Sequence, residues 1–149
     1  MTRSRWPTRL ATVLGILAAS TAVSMFGFAS ASLASASATV PCSGGGAGLV
    51  AAMTAANAAG GGTINLAAGC TYSLTSANNM TGGGNGLPVV STSITINGNG
   101  ATIAGNNRHF RIFFIGGAPA ARLTLNGVTV TGGNTGGPGG GIANIGGGC

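Results

Sequence analysis

Hydrophobic and polar positions follow two rhythms along this chain. From Gly48 to Asn57, GLVAAMTAAN sets Leu49, Val50, Met53 and Ala56 at the spacing of one helical face. The run Gly60-Gly61-Gly62 stops that pattern. The predicted helix is short and its apolar face is weak, so it must cover something to be stable. Alternation then takes over, in pieces of only four to six residues bounded by Gly or Asn. Thr63-Ile64-Asn65-Leu66, Ser93-Ile94-Thr95-Ile96-Asn97-Gly98 and Arg122-Leu123-Thr124-Leu125-Asn126-Gly127 are the clearest. Each leads past a corner to a companion: Thr71 to Leu74, Ala101 to Ile103, and Val128 to Val130. A further strand is predicted over Phe110 to Ile115, with Phe110, Phe113 and Phe114 read as core-stack or coil-edge packing and a sugar-stacking platform as the sharper alternative.

The alternating pieces recur with a period near thirty: Ile64 to Ile94 is 30 residues and Ile94 to Leu123 is 29. Such a period points to an all-β solenoid. In that fold one turn cannot bury its own apolar side chains, and neighbouring turns bury each other's. Ile64, Ile94 and Leu123 would stack, as would Leu66, Ile96 and Leu125. The Asn-Gly pairs at 97–98 and 126–127 suit left-handed corners, with Asn97 and Asn126 aligned as an inward amide ladder. The competing fold is a sandwich of antiparallel hairpins, for which Asn-Gly is also a signal.

The first 38 residues read differently. MTRSRWPTR is basic, residues 10–38 carry no charge, and Ala36-Ser37-Ala38 forms an A-x-A site. This is the layout of a secretory signal, with cleavage expected near Ala38 and a mature domain over 39–149. An uncleaved membrane anchor is the alternative. Cys42, Cys70 and Cys149 all follow the signal, where export favours oxidation. Cys42 and Cys70 flank the first structured segment and are expected to form a disulfide. Cys149 is the odd one, and three cysteines give no metal-type spacing.

Composition narrows the chemistry further. The 149 residues include 30 glycines, six arginines, no lysine, and no Asp or Glu. Three of the arginines lie in the first nine residues, so the remainder carries only Arg108, Arg111 and Arg122. That is no nucleic-acid footprint, which needs clustered cations and aromatics. Without carboxylates there is no acid–base pair for glycoside cleavage, no calcium cage and no catalytic triad. No cofactor is expected: the Gly-rich runs lack the Gly-Lys-Ser/Thr of a phosphate loop. Arg108, His109 and Arg111 are the weak ligand-binding candidates, as a cationic pair with a histidine facing an acidic sugar; a solvated loop is the bland alternative. Catalytic and metal-ligating residues are expected to be absent.

The helix ending in Ala55-Ala56-Asn57 and running into Gly61-Gly62-Thr63-Ile64-Asn65-Leu66-Ala67-Ala68-Gly69-Cys70-Thr71-Tyr72 resembles the start of right-handed parallel β-helix proteins, the pectin-lyase-like superfamily. Ile94 to Ile103 and Leu123 to Gly133 resemble further coils. Gly139-Gly140-Gly141-Ile142 is similar to the GG-x-I repeat of polymorphic outer-membrane-type proteins, whose companion F-x-x-N repeat is absent. The resemblance implies a right-handed parallel β-helix with a short N-terminal capping helix, C-terminally incomplete because a new coil opens and then stops. It covers about residues 42–149 and is uninformative on activity, since the fold serves lyases, hydrolases and adhesins alike. The expectation is a secreted or cell-surface protein, structural, adhesive or carbohydrate-binding, with no catalytic residue. Its partner would be an extracellular polysaccharide or cell-surface component, with no membrane contact after cleavage. The alternative is an N-terminal fragment of a polysaccharide lyase or glycoside hydrolase with carboxylates in later coils.

Overall fold

A computed structural model describes residues 35–137 and 139–146. Of the expected secretory signal, residues 1–34 lie outside the described residues, and so does Cys149. Strand β1 covers Ala36–Val40. A single 3₁₀ turn, Cys42–Gly44, leads into helix α1 over Gly45–Ala58. The remaining strands are β2 (Gly61–Leu66), β3 (Thr71–Ser73), β4 (Ser93–Arg108), β5 (Phe113–Ile115), β6 (Arg122–Gly133) and β7 (Ile142–Asn144).

All the named strand pairs are parallel. β1, β2, β4 and β3 form one path with β6 also on β4, which makes a five-stranded sheet; β5 and β7 form a second sheet of two strands. The first half of β4 lies between β2 and β6, and its second half between β3 and β6. Helix α1 packs on β1, β2, β3 and β4.

The expected right-handed parallel β-helix is therefore corrected. The fold is mixed α/β, one helix on a parallel half-barrel sheet, and no solenoid of stacked coils is indicated. Residues 93–108 are one 16-residue strand rather than two short strands of a coil. A thirty-residue period encodes parallel neighbours joined by crossovers, because parallel strands cannot be joined by a tight hairpin. The period leaves open how the crossovers wrap. Parallel pairing also removes the antiparallel sandwich.

Register differs from the expectation in an informative way. Ile94 pairs with Leu123, but Ile64 pairs with Ile96, and Ile96 in turn with Leu125. The triplets Thr63-Ile64-Asn65, Thr95-Ile96-Asn97 and Thr124-Leu125-Asn126 are what align. Shifting by two keeps the same face inward, so the apolar set still points to the core. Ile64, Leu66, Ile94, Ile96 and Ile103 are all buried against Leu49, Met53 and Ala56 of α1. Val50 is only half-buried, and Ala52 takes its place on the inward face.

Corners occur where the strands slip. Between Asn97 and Ala101, β4 carries two more residues than β6 between Asn126 and Val128. The excess is absorbed at Asn99 and Gly100, with φ of 51° and 79°, a left-handed geometry that Asn and Gly tolerate best. Asn99 Nδ2 then donates to Leu66 O at 3.0 Å. The corner thus sits at Asn99-Gly100 rather than at Asn97-Gly98.

Two polar residues tie the layers together. Tyr72 is fully buried, donates its hydroxyl hydrogen to Val40 O at 2.6 Å and accepts from Ala67 N at 3.0 Å. At the helix end, Asn57 Oδ1 accepts from Ser91 N, Ser91 Oγ and Thr92 Oγ1, and its Nδ2 donates to Val89 O. That fixes where the chain enters β4. The Cys42–Cys70 disulfide joins the turn before α1 to the corner before β3, with Cα atoms 5.5 Å apart.

Candidate functional site

Opposite the core, the outer face of β1, β2, β4 and β6 is built by alternation. In-register parallel pairing lines up Ser37, Thr63, Thr95 and Thr124 in one column. Thr39, Asn65, Asn97 and Asn126 form the next. Neighbours within a column are about 4.8 Å apart and the columns about 6.6 Å apart, since each is two residues along the strand from the other. Beyond the corner, Thr71, Thr102 and Thr129 continue a third polar column. These side chains are exposed or half-buried, and the columns themselves carry no charge; Arg122 lies at the margin of the face and Arg108 at the far end of β4.

The asparagines lock one another. Asn97 Nδ2 donates to Asn65 Oδ1 at 2.9 Å, and Asn126 Nδ2 donates to Asn97 Oδ1 at 3.0 Å. The amide ladder exists, but on the outer face rather than inward, and with Asn65 as a third rung. Its amides hold each other's rotamers, so the face is pre-organised. Beside it the threonine hydroxyls can each donate once and accept twice. Such a face can hydrogen-bond a hydroxylated surface; it has no group able to transfer a proton near neutral pH.

The structure does not gather the three candidate residues of the 108–111 stretch. Arg108 ends β4 and is exposed, and His109 in the following loop is exposed. Arg111 is 8 % exposed and lies across the Phe114 ring, 5.2 Å from its centroid. Its Nη2 donates to Gly82 O at 2.9 Å. Phe110, Phe113 and Phe114 are buried. Phe110 and Phe113 belong to the core cluster, and the Phe114 ring is covered by Arg111, so the three form no exposed platform for a sugar.

Sequence reasoning missed Asn85. It is fully buried, and its Nδ2 donates to Asn79 Oδ1, Thr81 O and Gly83 O. This knots the loop before β4, and nothing in a lone asparagine among glycines signals that. The outer columns had a signal in the repeated Thr-Ile-Asn triplet, legible once the triplets are aligned on one another.

Among the described residues no helix is long and apolar enough to cross a membrane, and no cluster of His and Cys could hold a metal ion. No family model, no curated protein and no solved structure matches this chain, so no relative identifies it as pectin-lyase-like or as a member of another family.

Proposed function

We propose that this is an exported, non-catalytic protein whose outer sheet face binds a neutral extracellular polysaccharide. The carrying observation is the uncharged, in-register Thr and Asn columns across four strands. A sugar chain presents hydroxyls and C–H faces, and a threonine offers a hydroxyl and a methyl to meet both. The locked amides lower the ordering cost of binding. The absence of side-chain carboxylates supports binding without hydrolysis.

Retention on insoluble cellulose and chitin tests this reading. The wild-type chain is expected to co-sediment with at least one of them. Thr95→Val with Thr124→Val removes two hydroxyls and keeps shape, and should weaken retention roughly tenfold. Failure of the wild type to sediment with either polymer, or equal retention by the double variant, would contradict the proposal.

Export is part of the same reading and is supported by the disulfide and the basic-then-apolar leader. The A-x-A site at Ala36-Ser37-Ala38 lies inside β1, where these residues pair with Gly62, Thr63 and Ile64. Cleavage there would strip three of the five β1 residues from the sheet edge. Gly62 is shaped to this strand, since a Cβ on it would collide with Ala36 O. Ala29-Ser30-Ala31 offers the same small-residue pattern upstream and leaves β1 whole. Intact mass of the secreted protein is expected to place its first residue at Ser32; a start at Thr39 would show that β1 is dispensable.

A further inference from the structure

Arg111 is a buried cation in a chain that contains no Asp or Glu to neutralise it. Burial of an unpaired charge is costly, and natural proteins pair such groups or bring them an anion. What the protein supplies here is partial. One carbonyl, Gly82 O, accepts from Nη2, and the Phe114 ring lies beneath the guanidinium. The Arg111 Nε is shut off from solvent and has no hydrogen-bond partner among the described residues.

This residue lines an open cleft of about 430 Å³ between the 82–83 loop and β7. The other walls are largely apolar, from Phe114, Ala143, Ile142 and Ile145, with the polar Asn144 also at the lining. Ile142 and Ile145 are 42 % and 61 % exposed, two of the three large hydrophobic side chains left exposed among the described residues. A cationic floor under hydrocarbon walls selects against two ligand classes. A neutral sugar leaves the charge unmatched, and inorganic phosphate leaves the walls wet.

We infer that the Arg111 cleft is a binding site for a small organic carboxylate with an apolar body. The carboxylate docks on the guanidinium, whose planar fork favours two parallel hydrogen bonds to it. The hydrocarbon covers Ile142 and Ile145. The site lies on the two-stranded sheet and is independent of the outer polar face.

Sodium hexanoate is the probe, added to the full oxidised chain labelled with ¹⁵N, with hexanamide and sodium phosphate as parallel arms. Hexanoate should shift the Arg111 Nε–H resonance and the amides of Ile142 and Ala143, with Kd on the order of 1 mM for so few atoms. Hexanamide should give no such shifts, and phosphate should bind at least tenfold more weakly. Arg111→Lys keeps the charge but loses the fork, and should weaken hexanoate about tenfold. Because Arg111 also holds Gly82, Ile142→Ala serves as the independent variant: it should weaken hexanoate several-fold and leave acetate unchanged. No shifts at hexanoate concentrations well above that Kd, equal shifts with hexanamide, phosphate binding as tight as hexanoate, or indifference to Ile142→Ala would each overturn the assignment.

Discussion

Ile96→Ala is expected to destabilise the fold by about 2–5 kcal/mol, the usual cost of emptying a fully buried aliphatic site. Ile96 is fully buried and faces Ile64 on one neighbouring strand and Leu125 on the other. The cavity would open between three strands, in the core cluster that also holds Leu49 and Met53 of α1. For a domain near this size the melting temperature should fall by roughly 10 °C or more. Thr95→Val, one residue away and on the outer face, is the internal control and should stay within about 0.5 kcal/mol. A thermal melt of both variants decides the matter. Similar melting temperatures for the two would mean that the inward–outward alternation assigned to β4 is wrong.

Loss of the Cys42–Cys70 bridge has the second large effect. The two residues are 28 apart in sequence, and opening a loop of that length costs about 3–4 kcal/mol on the chain-entropy argument. Cys42 is exposed and Cys70 is buried, so a reductant can reach the bridge at the Cys42 side. Its release frees the turn that starts α1, and α1 covers Ile64 and Ile96. Cys42→Ala with Cys70→Ala should therefore lower the melting temperature. It should also raise amide exchange in α1 and β1 before exchange in β4, which has neighbours on both sides. An unchanged melt, or uniform loss of protection along the chain, would refute this division of stability.

The elements themselves were legible where a local cause produces them. The spacing of Leu49, Met53 and Ala56 marks α1, and alternation around Ile64, Ile94, Ile96 and Leu123 marks strands with one buried face. Cys42 and Cys70 were legible as a pair from their compartment and flanking positions. The fold class was not. A parallel neighbour thirty residues away gives the same sequence period whether its crossover closes a coil or returns over one face of an open sheet. The true register was written in the Thr-Ile-Asn triplets, but Ile64, Ile94 and Ile96 are chemically alike, so apolar spacing alone could not choose between partners two positions apart. Arg108, His109 and Arg111 looked alike for a related reason. Adjacency in sequence does not show which side chain turns inward, and only Arg111 does.

From residue order and type alone come the helix, the strands with their buried apolar face, the bridged cysteines and the absence of Asp and Glu. These depend on local periodicity and on which functional groups exist at all. Tertiary structure decided the parallel half-barrel arrangement, the outward direction of the asparagine ladder, the knot at Asn85 and the burial of Arg111 above Phe114. Each of these depends on contacts between segments about 30 residues or more apart, or on how a loop folds back on itself, and distance along a chain carries no direction in space.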